Sequence, residues 1–181
     1  LKNAPAIFQR KMDNCFRGTE AFIAVYIDDI LVFSRNPEEH AKHLEEMLKI
    51  CKNNGLILSP TKYKVGVKVV DFLGSTIGEN QLHLQPHIVQ KIIEFDEEKL
   101  KTKGGLKSWL AILNYARGHI KNMGRILGPL YPKTSEKGER RLNSEDWKII
   151  RRMKQEVKSL PKLSIPPENA YIVIETDGSM N

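Results

Sequence analysis

The stretch "AFIAVYIDDILVFS", residues 21–34, sets the tightest limit on this chain, because it places two adjacent carboxylates, Asp28 and Asp29, inside an apolar run. Two short β-rich pieces, "AFIAVYI" and "ILVFS", flank the pair and read as an antiparallel hairpin joined at Asp28-Asp29. Successive strand side chains alternate faces, so the two carboxylates are not expected to point the same way. Burying an unpaired carboxylate among Val, Ile and Phe is costly, and it would normally take up a proton instead. A divalent cation such as Mg²⁺, which favours a few carboxylates plus substrate phosphates, removes that conflict. The plain alternative is that Asp-Asp only marks a bend, since Asp is common in turns.

The rest of the chain gives the hairpin an α+β setting. "NAPAIFQRKMDNCFRG" reads as a helix capped by Asn3, with Phe8, Met12, Cys15 and Phe16 on one face and Gly18 at its end. "NPEEHAKHLEEMLKICKNNG" predicts a second amphipathic helix with Ala41, Leu44, Leu48 and Cys51 inward. "GLILS", "VVDFLGSTI" and "QLHLQ" read as β segments, the last two separated by a "GEN" turn. From about residue 87 the pattern turns helical, in "HIVQKIIEF", "GGLKSWLAILNYARGHI" and "SEDWKIIRRMKQEVKSL". In the last of these Trp147, Ile150, Met153, Val157 and Leu160 share a face. "PKLSIPPEN" reads as a break, and "AYIVIETDGSMN" as a fresh strand.

The formal net charge of +7 is unevenly spread. Residues 1–98 carry 12 Lys/Arg against 14 Asp/Glu, residues 99–162 carry 17 against 5, and the last nineteen carry none against 3. A basic block of this kind suits a polyanionic partner such as nucleic acid. Cys15 and Cys51 stand far apart in helical settings, which fits a reduced, intracellular protein. No apolar run is long enough for a membrane span, so no membrane partner is expected. His40 and His43 lie three apart, but no convincing Cys or acidic partner completes a metal set, and they read as flanking the packed face.

"YIDD" in an apolar hairpin resembles the Tyr-x-Asp-Asp motif of reverse transcriptases. "LKNAPAIFQRKM" is similar to the end of that family's fingers–palm motif, and "GLILSPTKYKV" with "VDFLGSTI" to its lysine-bearing loop and primer-gripping hairpin. "LKSWLAILNYARGHIKNMGRILGPL" resembles the thumb of retroelement polymerases, and "YIVIETDGSM" the opening strand of a ribonuclease H. The matches occur in the family's order, and the nearest likeness is to the polymerase of badnaviruses, plant pararetroviruses.

The resemblance implies the C-terminal part of a palm over 1–86, a basic helical thumb and connection over 87–162, and a linker with the first ribonuclease H strand over 163–181. It makes Asp28 a ligand of catalytic Mg²⁺ and Asp29 its support, with Tyr26 and Ile27 against the primer end. Lys2, Phe8 and Gln9 fall beside the nucleotide and template, although helix packing explains Phe8 and Gln9 equally well. Lys62 or Lys64 takes the place of a general acid for the departing pyrophosphate. Phe72, Leu73 and Gly74 match the primer grip. Lys107, Arg117, Lys121 and Arg125 are candidates for phosphate contact. Lys121 stands where the family usually has proline, which implies a looser corner. Asp177 matches the first metal-binding aspartate of ribonuclease H.

The implied partners are a primed RNA or DNA template, deoxynucleoside triphosphates and the rest of a viral polyprotein, in host cytoplasm or virion. The family's other polymerase aspartate precedes "LKNAPAIFQ", so these residues alone are expected to be inactive. The alternatives are the same enzyme from a plant long-terminal-repeat retrotransposon, or a non-enzymatic nucleic-acid-binding relic.

Overall fold

The computed structural model of the chain describes residues 3–135, 138–139, 141–167 and 169–171. It divides into two compact units, Leu1–Phe72 and Leu73–Asn181. Lys2, Asp177 and the expected ribonuclease H strand lie outside the described residues.

The first unit begins with helix α1, Ala4–Cys15. Pro5 sits in its first turn, where a missing N–H costs nothing. Asn3 occupies the cap position but its side chain makes no capping hydrogen bond, contrary to expectation. Strands β1 (Ile23–Tyr26) and β2 (Asp29–Val32) pair antiparallel, from Ile23 opposite Val32 to Tyr26 opposite Asp29. Helix α2, Pro37–Asn53, is capped by Asn36, whose side chain accepts from the Glu39 N–H at 2.8 Å. Glu38 and Glu39 in its first turn suit the helix dipole. Strand β3, Val69–Phe72, closes the unit.

The core of this unit gathers Met12, Phe16, Ile23, Met47 and Cys51. Two sequence expectations shift here. Met47 and Ile50 face the core beside Leu44 and Cys51, whereas Ala41 and Leu48 are exposed. "GLILS" alternates as a strand does, with Leu56 and Leu58 packed inward and Ile57 98% exposed, but it forms no strand. Alternation supplies an inner face, and a strand also needs a partner to take its backbone groups.

The second unit opens with β4 (Ser75–Gly78) and β5 (Gln81–Leu84), paired antiparallel. Glu79 and Asn80 both take positive φ, 52° and 57°, as a two-residue type I′ turn requires. Strand β6, Leu163–Ser164, pairs with the other edge of β5. Around this sheet lie α3 (Pro86–Ile93), α4 (Glu97–Leu100), α5 (Lys103–Leu113), α6 (Met123–Leu127) and α7 (Ser144–Val157). Trp109 is fully buried and donates its indole N–H to the Ile92 carbonyl at 3.1 Å. Ile150, Met153 and Val157 are buried as the periodicity of α7 requires, with Trp147 and Leu160 packed at its edges.

The corner at Lys121 is held rather than loose. His119 and Ile120 are buried on one side and Met123 on the other. Asn122 makes the bend with φ 56°, a conformation Asn tolerates better than most residues. The His119 Nδ1 lies 2.8 Å from the Pro161 carbonyl, so the proline-rich stretch is fastened there instead of hanging free. Among the described residues no helix is long and apolar enough to cross a membrane.

Candidate functional site

The β1–β2 hairpin turns at Ile27-Asp28, one residue earlier than expected, because Tyr26 pairs with Asp29 and makes Asp29 the first residue of β2. Both carboxylates are exposed, so the conflict between charge and burial that the apolar run suggested does not arise. The apolar residues of the hairpin pack inward through Ile23, Val25, Ile30 and Val32. The carboxylates stand at the rim that this packing leaves in solvent, and Tyr26 beside them is 52% exposed.

Ile27 carries the turn with φ 54°. A β-branched residue seldom adopts that conformation, and holding one there costs on the order of 1–3 kcal/mol unless the surroundings fix it. The surroundings here are the Gln9 carboxamide. The Ile27 N–H donates to Gln9 Oε1 at 2.6 Å. Gln9 Nε2 donates to the Val25 carbonyl at 3.3 Å and to Asp13 Oδ1 at 2.7 Å. Only this orientation of the amide matches one donor and two acceptors; the flipped amide would face like with like. Gln9 therefore bridges α1 to the strand end and to the turn. Phe8, its neighbour, is 40% exposed and takes no part in the core.

The other expected positions divide between the units. In the first, Lys62 and Lys64 are both exposed, and Lys64 Nζ lies 3.9 Å from Asp71 Oδ2. Phe72 ends β3 half-buried. In the second, Leu73 and Gly74 take positive φ, 48° and 81°, in a two-residue turn, and Leu73 is 41% exposed. Lys107, Arg117, Lys121 and Arg125 are all exposed, free to meet an anionic surface.

His40 and His43 have another use than metal binding. Ser34 Oγ lies 3.1 Å from His40 Nδ1 and 2.8 Å from His43 Nδ1. A hydroxyl has one proton, so it donates to one ring and accepts from the other. The His43 ring also stacks on Phe22, with centroids 4.0 Å apart. Asp13 was missed by sequence reasoning; its spacing of four from Gln9 on a helix was the available signal.

Among the described residues no group of three or more His, Cys, Asp and Glu could hold a metal ion. Asp28 and Asp29 nevertheless fit Mg²⁺ in kind, as exposed hard oxygen donors.

A family model described as "Reverse transcriptase (RNA-dependent DNA polymerase)" matches residues 1–77, which include the hairpin and Gln9. The chain is 57% identical over 180 residues to Polyprotein P3 of Commelina yellow mottle virus, covering 99% of this chain and 10% of that protein. It is 39% identical over 179 residues to the enzymatic polyprotein of Cauliflower mosaic virus (strain Strasbourg), covering 99% of this chain and 26% of that one. Among solved structures it is similar to a foamy viral protease–reverse transcriptase in complex with double-stranded DNA, with TM-score 0.71 and 28% identity over 88% of this chain and 28% of that one. The same foamy viral protein in complex with an RNA/DNA hybrid aligns with TM-score 0.70 and 28% identity, over 88% of this chain and 22% of that one. The α+β arrangement thus resembles a palm and thumb region. The chain belongs to the reverse transcriptases of the Caulimoviridae, with a badnavirus polyprotein among its relatives.

Proposed function

We propose that these residues form the C-terminal part of the palm (1–86) and the thumb and connection (87–162) of an RNA-directed DNA polymerase. Residues 163–181 would then lead into a ribonuclease H domain, with Asp177 in its site. The observation that carries the reading is the exposed Asp28-Asp29 pair at the tip of a packed hairpin. It stands in a chain whose relatives include viral enzymatic polyproteins.

Asp28, at the turn, would hold Mg²⁺, with Asp29 at the first rung of β2 supporting it. Mg²⁺ held there would supply Lewis-acid chemistry, lowering the pKa of a primer 3′-hydroxyl and offsetting charge on the leaving phosphate. The chain's own residues do the rest. The hairpin core fixes where the carboxylates stand, and Tyr26 offers an exposed ring beside the primer end. Lys62 or Lys64, both exposed, would give a proton to the departing pyrophosphate. Lys107, Arg117, Lys121 and Arg125 would grip phosphates without reading sequence, as a sliding enzyme requires. Two carboxylates do not complete a two-metal site, so we expect the 181 residues by themselves not to extend a primer.

The test is RNA-templated primer extension with Mg²⁺ by the full polymerase carrying this chain, beside its Asp28→Asn variant. Extension that the variant abolishes supports the reading. Unchanged extension by Asp28→Asn overturns the metal assignment, and a folded protein that binds duplex without extending it is a binding module instead.

A further inference from the structure

The contacts of Gln9 point to a role that differs from touching nucleotide or template. We propose that Gln9 is a positioning residue, which holds Ile27 in its left-handed conformation and thereby sets where Asp28 stands. The inference rests on the polymerase reading for its catalytic consequence but on geometry alone for the contact.

Three features carry it. The bond from the Ile27 N–H to Gln9 Oε1 is 2.6 Å, the shorter of the carboxamide's two contacts with the hairpin. It joins residues 18 apart in sequence, so it is a tertiary tie rather than a local turn contact. Its target is the one residue of the turn with positive φ, at 54°, and that residue is followed directly by Asp28. Gln9 is anchored in turn by Asp13 Oδ1 at 2.7 Å, which fixes the amide so that its oxygen faces the turn. A side chain spent on three hydrogen bonds has one acceptor lone pair left, which makes it a poor candidate for a substrate contact.

The chemistry required at position 9 is narrow. Glutamate can accept from Ile27 but would set a carboxylate against the Val25 carbonyl and Asp13. Asparagine is one methylene too short to span from α1 to the turn. Methionine matches the length and removes every hydrogen bond.

A double-mutant cycle on the full polymerase carrying this chain tests the proposal, using Gln9→Met and Ile27→Gly singly and together. Glycine adopts positive φ without strain, so it removes the need for the clamp. Gln9→Met in the parent background should lower kcat about tenfold while KM for the nucleotide stays within about twofold, the signature of an effect on the transition state rather than on substrate binding. In the Ile27→Gly background the same change should alter kcat less than about threefold. An equal loss in both backgrounds, or a loss seen in KM alone, would sink the proposal and place Gln9 at the substrate.

Amide hydrogen exchange supplies a readout that needs no activity. The Ile27 N–H should exchange at least about tenfold faster in Gln9→Met, while Ala24 and Leu31, a hydrogen-bonded pair of the ladder, keep their protection. Unchanged exchange at Ile27 overturns the clamp. A parent enzyme that fails to extend a primer refutes the polymerase reading, and exchange still decides whether Gln9 holds the turn.

Discussion

Gly74 and Tyr115 approach so closely that a Cβ on the glycine would lie 2.8 Å from the tyrosine Cδ1. Ile88 Cδ1 closes the other side at the same distance, and φ at Gly74 is 81°. Gly74→Ala therefore meets two obstacles at once, a backbone conformation and a packed wall. It should destabilise the second unit by about 2–4 kcal/mol in a urea titration. Gly66→Ala, at φ 66° with open space around it, isolates the backbone contribution and should cost its own unit only about 1–2 kcal/mol. Equal losses at the two sites would show that the tyrosine wall yields.

Asp146 is 2% exposed and serves two partners. It forms a capping box with Asn143 at the start of α7, and its Oδ2 lies 3.0 Å from Lys133 Nζ. Asp146→Ala removes the carboxylate half of the capping box and leaves a lysine that is only 11% exposed with the Arg141 carbonyl but no counter-charge, so a loss of about 3–5 kcal/mol is expected. Asn143→Ala removes only the cap and should cost about 1 kcal/mol. Urea midpoints of the two variants check the difference.

The cysteines should differ in reactivity. Burial pushes the Cys51 thiol above its ordinary range, with the neighbouring Cys15 adding to the effect. Cys51 is 3% exposed, whereas Cys15 is half-buried. Alkylation at mildly alkaline pH, followed by mass spectrometry, should modify Cys15 well before Cys51. The raised value also has a sign for stability. The unfolded thiol ionises first, so the contribution of Cys51 is whole below the ordinary thiol pKa and fades as pH rises through the folded value. Cys51→Val should flatten that alkaline decline.

Binding to primed duplex should weaken steeply with salt and be indifferent to sequence, since residues 99–162 carry 17 Lys/Arg against 5 Asp/Glu. Replacing any one of Lys107, Arg117, Lys121 or Arg125 by Ala should lower the log–log salt slope by about 1 where that residue meets a phosphate. A slope that none of the four changes would move the contact elsewhere on this unit.

What could be read from the sequence followed a physical divide. The inner face of α7 was legible because Ile150, Met153 and Val157 repeat at helical spacing and nothing competes with them. Helix α2 offered two apolar stripes of nearly equal quality, and only the neighbouring hairpin decides that Met47 turns in and Leu48 out. Local preference puts the bend of the carboxylate hairpin one residue late, because Asp favours turns and Ile does not. The tertiary hydrogen bond to Gln9 sustains what local preference disfavours. The candidate site was visible through its motif, but Gln9 carries no periodic or compositional mark of what it holds. Its role exists only once α1 and the turn are side by side.

The Lys133–Asp146 pair also has a consequence for the connection between them. A 3.0 Å contact pins both ends of a thirteen-residue step in the chain. Closure entropy grows only slowly with length, so extra residues inserted between pinned ends add little further cost. At Gly138 a Cβ would lie 2.0 Å from the Pro132 carbonyl oxygen, so that position accepts no other residue without a backbone shift. A reporter inserted into this connection should therefore leave the Lys133–Asp146 contact, and with it the capped start of α7, in place.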